Sequence, residues 1–257
     1  MKKPENNEQI LAMIALSGQI LLESGAETNR VEDTLMRMCH AFGLFEIQTI
    51  ATPTGLFMTA KTDDGIHHSL IRRIRSQDIH LDRVHAVNDI SRKLAQKKMT
   101  LEQAEKKLFL IKNTPFSKYR IAFAAGISSG FFCLLNGGSP ADAFVCVLLG
   151  TSIHLVFGAL VKRQVSSILS IFLGGLLASF LSVAFVYLLK FGDTEKIITG
   201  AIIPLLPGLT IVSAVRDTIH GDLLSGAVRM FEAIFVAGAL AASVGIVFKA
   251  FYFWIGA

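Results

Sequence analysis

Residues for metal chemistry or disulfide bonding are scarce in this sequence of 257 residues. It holds only three cysteines, Cys39, Cys133 and Cys146, and their spacing fits neither a metal site nor a disulfide framework. Cys133 and Cys146 fall in apolar segments, where cysteine usually behaves as a small hydrophobic residue. The basic N-terminal residues are not followed by an apolar run and a cleavage site, so we predict no secretory signal peptide. We expect neither a bound metal nor another cofactor.

Nucleic-acid recognition signals are also missing, although the chain is basic. The net charge is +5 at pH 7, but aromatic and basic residues do not alternate and no known reader motif occurs. Lys and Arg are enriched in the cytoplasmic flanks of membrane proteins, which explains the charge better. We therefore expect a lipid bilayer, and no nucleic acid, as a partner.

Charge and hydrophobicity are distributed unevenly along the chain. The mean hydropathy of +0.52 is too high for an ordinary soluble protein. Residues 1–120 carry most of the charge, whereas residues 121–257 are nearly continuous apolar sequence. This pattern predicts an α-helical multi-pass membrane protein with an N-terminal α+β cytosolic domain. We place the cytosolic domain at residues 1–118 and the helical transmembrane domain at residues 119–257.

The front region changes its hydrophobic period twice. Helical spacing over residues 8–23 ends at Gly25, and a second helix with the predicted capping box Asn29/Glu32 ends at Gly43. Three strands rich in Ile, Thr and Phe follow, with an Asp64-Gly65 turn. Two further helices, the second opened by a predicted capping box at Thr100 and Gln103, complete an α+β domain. The cap explains Asn29 and Glu32 but leaves Glu27 and Arg30 unexplained.

A hydrolytic site in the front domain is an alternative interpretation. His67 and His68 lie near Asp63, Asp64 and Ser69, which are residue types used by hydrolases. Adjacent residues on a strand point to opposite faces, so both histidines cannot line one site on a regular strand. A polar turn in a docking or regulatory domain explains them better.

The rear half predicts about five transmembrane helices. Apolar segments of suitable length cover residues 121–138, 141–161, 165–189, 197–215 and 223–254. Basic residues concentrate in the loops on the side of the front domain, which predicts a cytoplasmic N-terminus. An odd number of spans suggests one half of a transporter built from two inverted halves.

Residues 204–232 combine apolar sequence with features that are costly inside a membrane. Pro204, Pro207 and Gly208 would break the fourth helix and free backbone groups for a substrate. Charged residues at a membrane centre cost a few kcal/mol each even on the lenient scales, and the segment contains Arg216, Asp217, Asp222, Arg229 and Glu232. We predict that these residues form a substrate or proton pathway.

Each charged residue in this segment has a candidate role. Arg216 or Arg229 would attract a carboxylate, and Asp222 or Glu232 would carry a proton or hold an arginine. Arg229 and Glu232 can pair because they are three residues apart on a helix. A structural ion pair at a cytoplasmic helix end would explain the same residues, and this alternative stays open.

Three sequence segments together resemble the threonine/serine exporter family of bacterial inner-membrane proteins. They are residues 21–35, LLESGAETNRVEDTL, residues 204–208, PLLPG, and residues 216–233, RDTIHGDLLSGAVRMFEA. The resemblance implies a cytosolic domain and a membrane domain of about ten helices, often divided between two polypeptides. It also implies export of threonine and serine driven by the proton motive force, or of dicarboxylates such as succinate in a split branch.

The resemblance defines the function that we expect. The chain is similar to the longer subunit of the split form, so a second small membrane subunit would supply the other half and the protein would be oligomeric. We expect a secondary exporter of a small amino acid or carboxylate, and not an enzyme. A membrane-anchored cytosolic sensor or hydrolase, and a purely structural subunit, remain alternatives.

Overall fold

The computed structural model describes residues 7–62, 65–114, 117–163 and 165–255. The described chain is mostly helical and includes one three-stranded sheet. It divides into two compact units, which are described separately. The first unit comprises Met1–Thr114 and Ile211–Met230, and the second comprises Pro115–Thr210 and Phe231–Ala257.

The N-terminal part of the first unit has the predicted order of elements. Two helices precede three strands, and two helices follow them, which confirms the α+β architecture of this region. The elements are α1 (Asn7–Glu23), α2 (Thr28–Ala41), β1 (Phe45–Thr52), β2 (Gly55–Lys61), β3 (His67–Arg73), α3 (Leu81–Ala95) and α4 (Leu101–Asn113).

The sheet is an antiparallel meander in the order β1-β2-β3. Lys61 pairs with His67 at the end of the second hairpin. Asp64, in the predicted turn between these strands, lies outside the described residues. The antiparallel pairing of β2 with β3 confirms the hairpin that the Asp64-Gly65 pattern predicted.

Helix α1 is the centre of the first unit. Its residues are buried on nearly all sides, and it contacts α2, α3, α4, β2 and β3. Gly18 permits this packing, since a Cβ atom there would lie 2.6 Å from Leu56 Cδ2 and 2.8 Å from Leu35 Cδ1. Gly25, with a φ of +77°, ends the helix and directs the chain into α2.

Part of a helical hairpin from the apolar half of the sequence also belongs to the first unit. Helix α9 covers Gly208–Ile219 and helix α10 covers Leu223–Ile255. Gly221 makes the turn between them with a φ of +92°, a conformation that favours glycine. Residues 211–230 of this hairpin lie in the first unit. A domain boundary at residue 118 stays a prediction.

The second unit is a helical bundle. Its elements are α5 (Lys118–Leu135), α6 (Pro140–Lys162), α7 (Ser167–Leu189), α8 (Thr194–Ile202) and the part of α10 from residue 231 onward. Small residues bring the helices close together, as in α7, where Gly175 approaches Leu240 and Ser243 of α10. Buried Cys133 and Cys146 pack with Val145 and Ile197 in its core and form no disulfide.

The number of candidate membrane spans differs from the predicted five. Three described helices, α6, α7 and α10, are long and apolar enough to cross a membrane. A fourth candidate is the pair Thr194–Leu205 and Gly208–Ile219. The uncharged part of α5 is shorter than predicted, because the helix begins with Lys118 and Arg120 and ends at Leu135 instead of residue 138. Its uncharged part, residues 121–135, rises only about 22 Å, less than the thickness of the hydrocarbon core.

The fourth candidate span is bent where the sequence predicted a break. After α8, a 3-10 turn covers Ile203–Leu205, and the two helical pieces meet at an angle of 50°. Pro204 lies in this turn and Pro207 immediately precedes α9. The prolines thus separate two short helices in the described chain.

Candidate functional site

Two of the segments that the sequence analysis selected meet inside the first unit. Residues 26–28, at the corner between α1 and α2, contact Arg216, Asp217, Asp222 and Arg229 of the α9–α10 hairpin. The residues in contact are 189, 194 and 203 positions apart in the sequence. We name residues 26–28 with these four charged residues the polar cluster.

A buried ion pair lies at the centre of the polar cluster. Arg229 Nε is 3.0 Å from Asp217 Oδ2, and the side chains are 5% and 0% exposed. Arg229 also donates through Nη2 to the carbonyl oxygen of Ala26 at 3.1 Å. Removing two charges from water costs several kcal/mol per ion. The pair therefore explains how both residues are accommodated in a buried position.

The ion pair is close but poorly aligned for hydrogen bonding. Within the described part of the chain, neither Arg229 Nε nor Asp217 Oδ2 has a hydrogen-bond partner, although both atoms are buried. Their contact at 3.0 Å is thus electrostatic rather than directional. Buried polar atoms without a hydrogen bond are unusual and costly. The centre of the cluster retains unused hydrogen-bonding capacity.

Thr28 connects the ion pair to a second carboxylate. Its residue surface is fully buried, and Oγ1 lies 3.2 Å from Asp217 Oδ1 and 2.8 Å from Asp222 Oδ2. The backbone N–H of Thr28 also donates to Asp217 Oδ1 at 3.4 Å. Because Thr28 is the first residue of α2, Asp217 and Asp222 lie at the positive end of that helix. The helix terminus favours the negative charge that the hairpin brings to it.

The predicted capping box of α2 is wrong. The N-cap residue is Glu27, whose side chain makes no capping bond, and Asn29 Oδ1 accepts instead from the N–H of Arg30. The carboxylate of Asp217, from a distant helix, accepts the Thr28 N–H in place of a local cap. By contrast, the capping box predicted at Thr100 and Gln103 of α4 is confirmed.

Glu27 forms a second ion pair at the rim of the cluster. Arg216 Nη1 donates to Glu27 Oε1 at 2.6 Å, with side chains 57% and 15% exposed. This contact gives a reason for an acidic residue at position 27, which the helix corner alone did not provide. Because Arg216 is largely solvated, the pair contributes less to stability than the buried one.

Glu32 extends the negative charge along α2. Its Oε1 accepts from the backbone N–H of Ala51 at 2.7 Å. Desolvation raises the pKa of Glu32, the Ala51 hydrogen bond opposes this, and the nearby charges of Asp222 and Asp33 raise the pKa further. The carboxylate of Glu32 is thus less stable in the folded protein than in water.

We expect Glu32→Gln to reduce the pH dependence of folding. A group with a raised folded-state pKa lowers the free energy of unfolding as the pH rises from about 4, and a neutral amide abolishes that loss. The amide oxygen can still accept from Ala51. Melting temperatures of both proteins between pH 4 and 8 would test this. Equal slopes for the two proteins would contradict it, and Glu102→Gln on the surface of α4 is the control.

Close packing of the hairpin fixes the positions of the charged residues. A Cβ atom at Gly226 of α10 would collide with Thr218 Oγ1 and would lie 2.9 Å from the carbonyl oxygen of Ala214. Ser225 is buried beside it. Only glycine at residue 226 allows α9 and α10 to approach this closely, which holds Asp217 and Arg229 opposite each other.

The other predicted site residues lie elsewhere. Pro204, Pro207 and Gly208 belong to the second unit, at the break described above. Glu232 also lies in the second unit and has an exposed side chain. The predicted Arg229–Glu232 pairing is wrong, because Arg229 pairs with Asp217. The buried carboxylate of Asp217, on the neighbouring helix, is the partner of Arg229, whereas the carboxylate of Glu232 is exposed.

The candidate hydrolase residues have other contacts. His67 Nε2 lies 3.8 Å from Glu46 Oε2, and Ser69 donates to Thr59 Oγ1 at 3.2 Å. Asp63 and Asp64 lie outside the described residues. Among the residues that were described, no cluster of His, Cys, Asp and Glu is suited to a metal ion.

An α+β domain in one chain with at least three helices long and apolar enough to cross a membrane is the organisation of a membrane protein. Comparison with known proteins identifies the family. The chain belongs to the ThrE family, which is described as "Putative threonine/serine exporter". The family match covers residues 12–251.

The relatives include proteins named as exporters and a protein named as a transporter subunit. The "Probable succinate transporter subunit YjjP" of Escherichia coli (strain K12) is 24% identical over 244 residues, which cover 95% of this chain and 94% of that protein. The "Threonine/serine exporter" of Corynebacterium glutamicum is 24% identical over 92% of this chain and 50% of its own length. The "Probable threonine/serine exporter" of Mycobacterium tuberculosis is 23% identical over 91% and 45%. No solved structure matches the chain.

Proposed function

We propose that this chain is a subunit of a secondary exporter in the bacterial inner membrane. Its substrate is a small amino acid, threonine or serine, or a small dicarboxylate such as succinate. Family membership supports export, and the names of the relatives support these two substrate classes. The transport cycle needs no covalent intermediate and no cofactor.

A second membrane subunit completes the exporter. The chain matches almost the whole length of the Escherichia coli transporter subunit but about half of the Corynebacterium glutamicum exporter. This difference in length supports a division of the membrane domain between two polypeptides. The positive charge at Lys118 and Arg120, ahead of the apolar helices, favours a cytoplasmic N-terminus, and the complex is oligomeric.

The buried Asp217–Arg229 pair is the observation that carries the site assignment. In apolar surroundings, a guanidinium is a strong binding partner for the carboxylate that both substrate classes contain. Asp217 holds Arg229 in the absence of substrate, and Asp222 lies 2.8 Å from Thr28, where it can take part in proton binding. Arg216 adds a second cation at the rim.

The second unit holds further candidate pathway residues, at the break in residues 204–208 and at the exposed Glu232. Pro204, Pro207 and Gly208 leave backbone groups that a substrate can bind, as in the broken helices of other transporters. A carboxylate on an apolar helix is costly unless it is protonated or paired. Glu232 is therefore the second candidate for the transported proton.

Efflux measurements test this function. Cells that co-express the partner subunit would be loaded with labelled threonine, serine or succinate. We expect Arg229→Gln and Glu232→Gln to reduce efflux of the transported compound by about tenfold or more, which corresponds to the loss of one charge-assisted contact. Lys249→Gln, on the exposed side of α10, should retain efflux at equal protein levels.

Two results would overturn the proposal in different ways. Normal efflux in both variants would refute the site assignment while leaving the exporter function intact. Absence of efflux of all three compounds with every candidate partner would refute the exporter function itself.

A further inference from the structure

Thr28 contacts more acceptors than its single hydroxyl hydrogen can serve. Its Oγ1 lies within hydrogen-bond distance of Asp217 Oδ1 and Asp222 Oδ2, at 3.2 and 2.8 Å. A threonine hydroxyl donates one hydrogen, and an ionised carboxylate donates none. If both aspartates were ionised, one of the two contacts would place oxygen lone pairs against each other. A hydrogen is therefore missing from this arrangement.

The charges around Thr28 also favour an additional proton. Four carboxylates lie in or beside the polar cluster. They belong to Glu27 at the helix corner, Glu32 of α2, Asp217 of α9 and Asp222 of the turn between α9 and α10. Within the described residues, Arg216 and Arg229 form ion pairs with this group. Each arginine is already paired with one carboxylate. The group thus carries excess negative charge at a partly buried position, and such charge is destabilising.

Asp217 supplies independent evidence for unmet polar capacity. Asp217 is 1% exposed, and its Oδ2 has no aligned hydrogen bond within the described residues. The same is true of Nε of Arg229, a residue that is 4% exposed. With Thr28 donating to Asp222, Asp217 Oδ1 would keep only the long backbone contact of 3.4 Å. A buried carboxylate with so few donors would be poorly stabilised.

We propose that Asp222, Thr28 and Asp217 share one bound proton through the Thr28 hydroxyl. Asp222 carries the proton on Oδ2 and donates it to Thr28 Oγ1, while Thr28 donates its own hydrogen to Asp217 Oδ1. Every short contact then has a hydrogen, and Asp217 remains ionised opposite Arg229. Thr28 acts as a positioning residue that links the two carboxyl groups.

The same chain of hydrogen bonds can move the proton without a change of partners. Thr28 Oγ1 accepts the Asp222 proton as it releases its own hydrogen to Asp217. The products are ionised Asp222 and neutral Asp217, and no atom or charge is gained or lost. Arg229 then faces a neutral carboxyl group and is free to bind an anionic substrate. This coupling rests on the proposed exporter function, whereas the proton site rests on the geometry alone.

Infrared spectroscopy of the purified full chain tests the proton site without a transport assay. Protonated and ionised carboxyl groups give separate bands, so the bound proton is visible directly. The Glu32→Gln background removes the contribution of the neighbouring carboxyl. In that background we expect a protonated-carboxyl band at neutral pH that Asp222→Asn abolishes. Thr28→Val should weaken or shift the band, and Thr28→Ser, which keeps the hydroxyl, should retain it.

The efflux pH profile tests the coupling. We expect Thr28→Val to reduce proton-driven efflux by about tenfold, since one hydrogen bond to a charged group is lost, and Thr28→Ser to keep the pH profile of the wild type. If the folded wild-type protein shows no protonated-carboxyl band that depends on Asp222, the proton site is wrong, even if efflux occurs. If the band behaves as expected but no compound is exported, the exporter function fails and the proton site stands.

Discussion

Arg229→Ala is expected to lower the free energy of unfolding of the first unit by about 3–5 kcal/mol, the usual effect of removing one partner of a buried ion pair. The Asp217 side chain is 0% exposed, and without the guanidinium 3.0 Å away it would either keep an unpaired buried charge or have to bind a proton. The carbonyl oxygen of Ala26 would lose its donor as well. Thermal or chemical unfolding of the full chain in detergent measures the change.

Arg216→Ala is the matched control for this prediction. Both substitutions remove an arginine that contacts a carboxylate of the same cluster, but the Arg216 side chain is 57% exposed whereas Arg229 is 5% exposed. Pairs that involve solvated side chains typically contribute between 0 and about 1 kcal/mol. Equal losses of stability in the two variants would show that burial of the Asp217–Arg229 pair does not determine its energy.

The double substitution Asp217→Leu with Arg229→Met separates stability from function. Well-packed apolar residues in place of a buried ion pair are often neutral or stabilising. We therefore expect the double variant to unfold at a temperature close to that of the wild type but to export nothing. Restored folding together with normal efflux would mean that the pair is only structural, the alternative that the sequence analysis left open.

The sequence predicted the elements of the fold because they depend on local patterns. Helical spacing, the glycines at residues 25 and 43 and the Thr100–Gln103 capping box all act within a few residues. The α+β order and the break near Pro204 followed from such signals. The span count was less accurate, since α5 begins with two cations and ends at Leu135, so its apolar part is too short.

The candidate site could be predicted only in part, because its contacts are between distant residues. The cost of placing charges in apolar sequence identified Asp217 and Arg229, but not the fact that they pair with each other. Spacing along one helix favoured Glu232 as the partner of Arg229. In the structure Arg229 pairs instead with the buried carboxylate of Asp217. Thr28 is an ordinary threonine in sequence, and its role depends on a carboxylate 189 residues away. The unexplained Glu27 was the one available signal.

Gly126→Ala in α5 is expected to destabilise the second unit by about 1–3 kcal/mol, the range for overpacking a close interface. Gly126 and Gly130 are four residues apart and face α6, an arrangement that lets membrane helices approach closely. A Cβ atom at residue 126 would collide with Thr151 Oγ1 and would lie 2.5 Å from the carbonyl oxygen of Val147. Because that oxygen belongs to the backbone, a rotamer change alone cannot make room, and α5 must move away from α6.

Gly158→Ala in α6 separates this effect from helix propensity. No atom lies within 4 Å of a Cβ atom added at residue 158, so alanine there should be neutral or stabilise the helix by up to about 1 kcal/mol. Melting temperatures of the two variants in detergent give the comparison. A Gly126→Ala protein as stable as Gly158→Ala would show that α5 can separate from α6 at no cost. Loss of stability in Gly126→Ala alone would mean that close backbone contact holds α5 against α6. Because α5 is too short to span the bilayer by itself, this contact is what keeps it in the bundle.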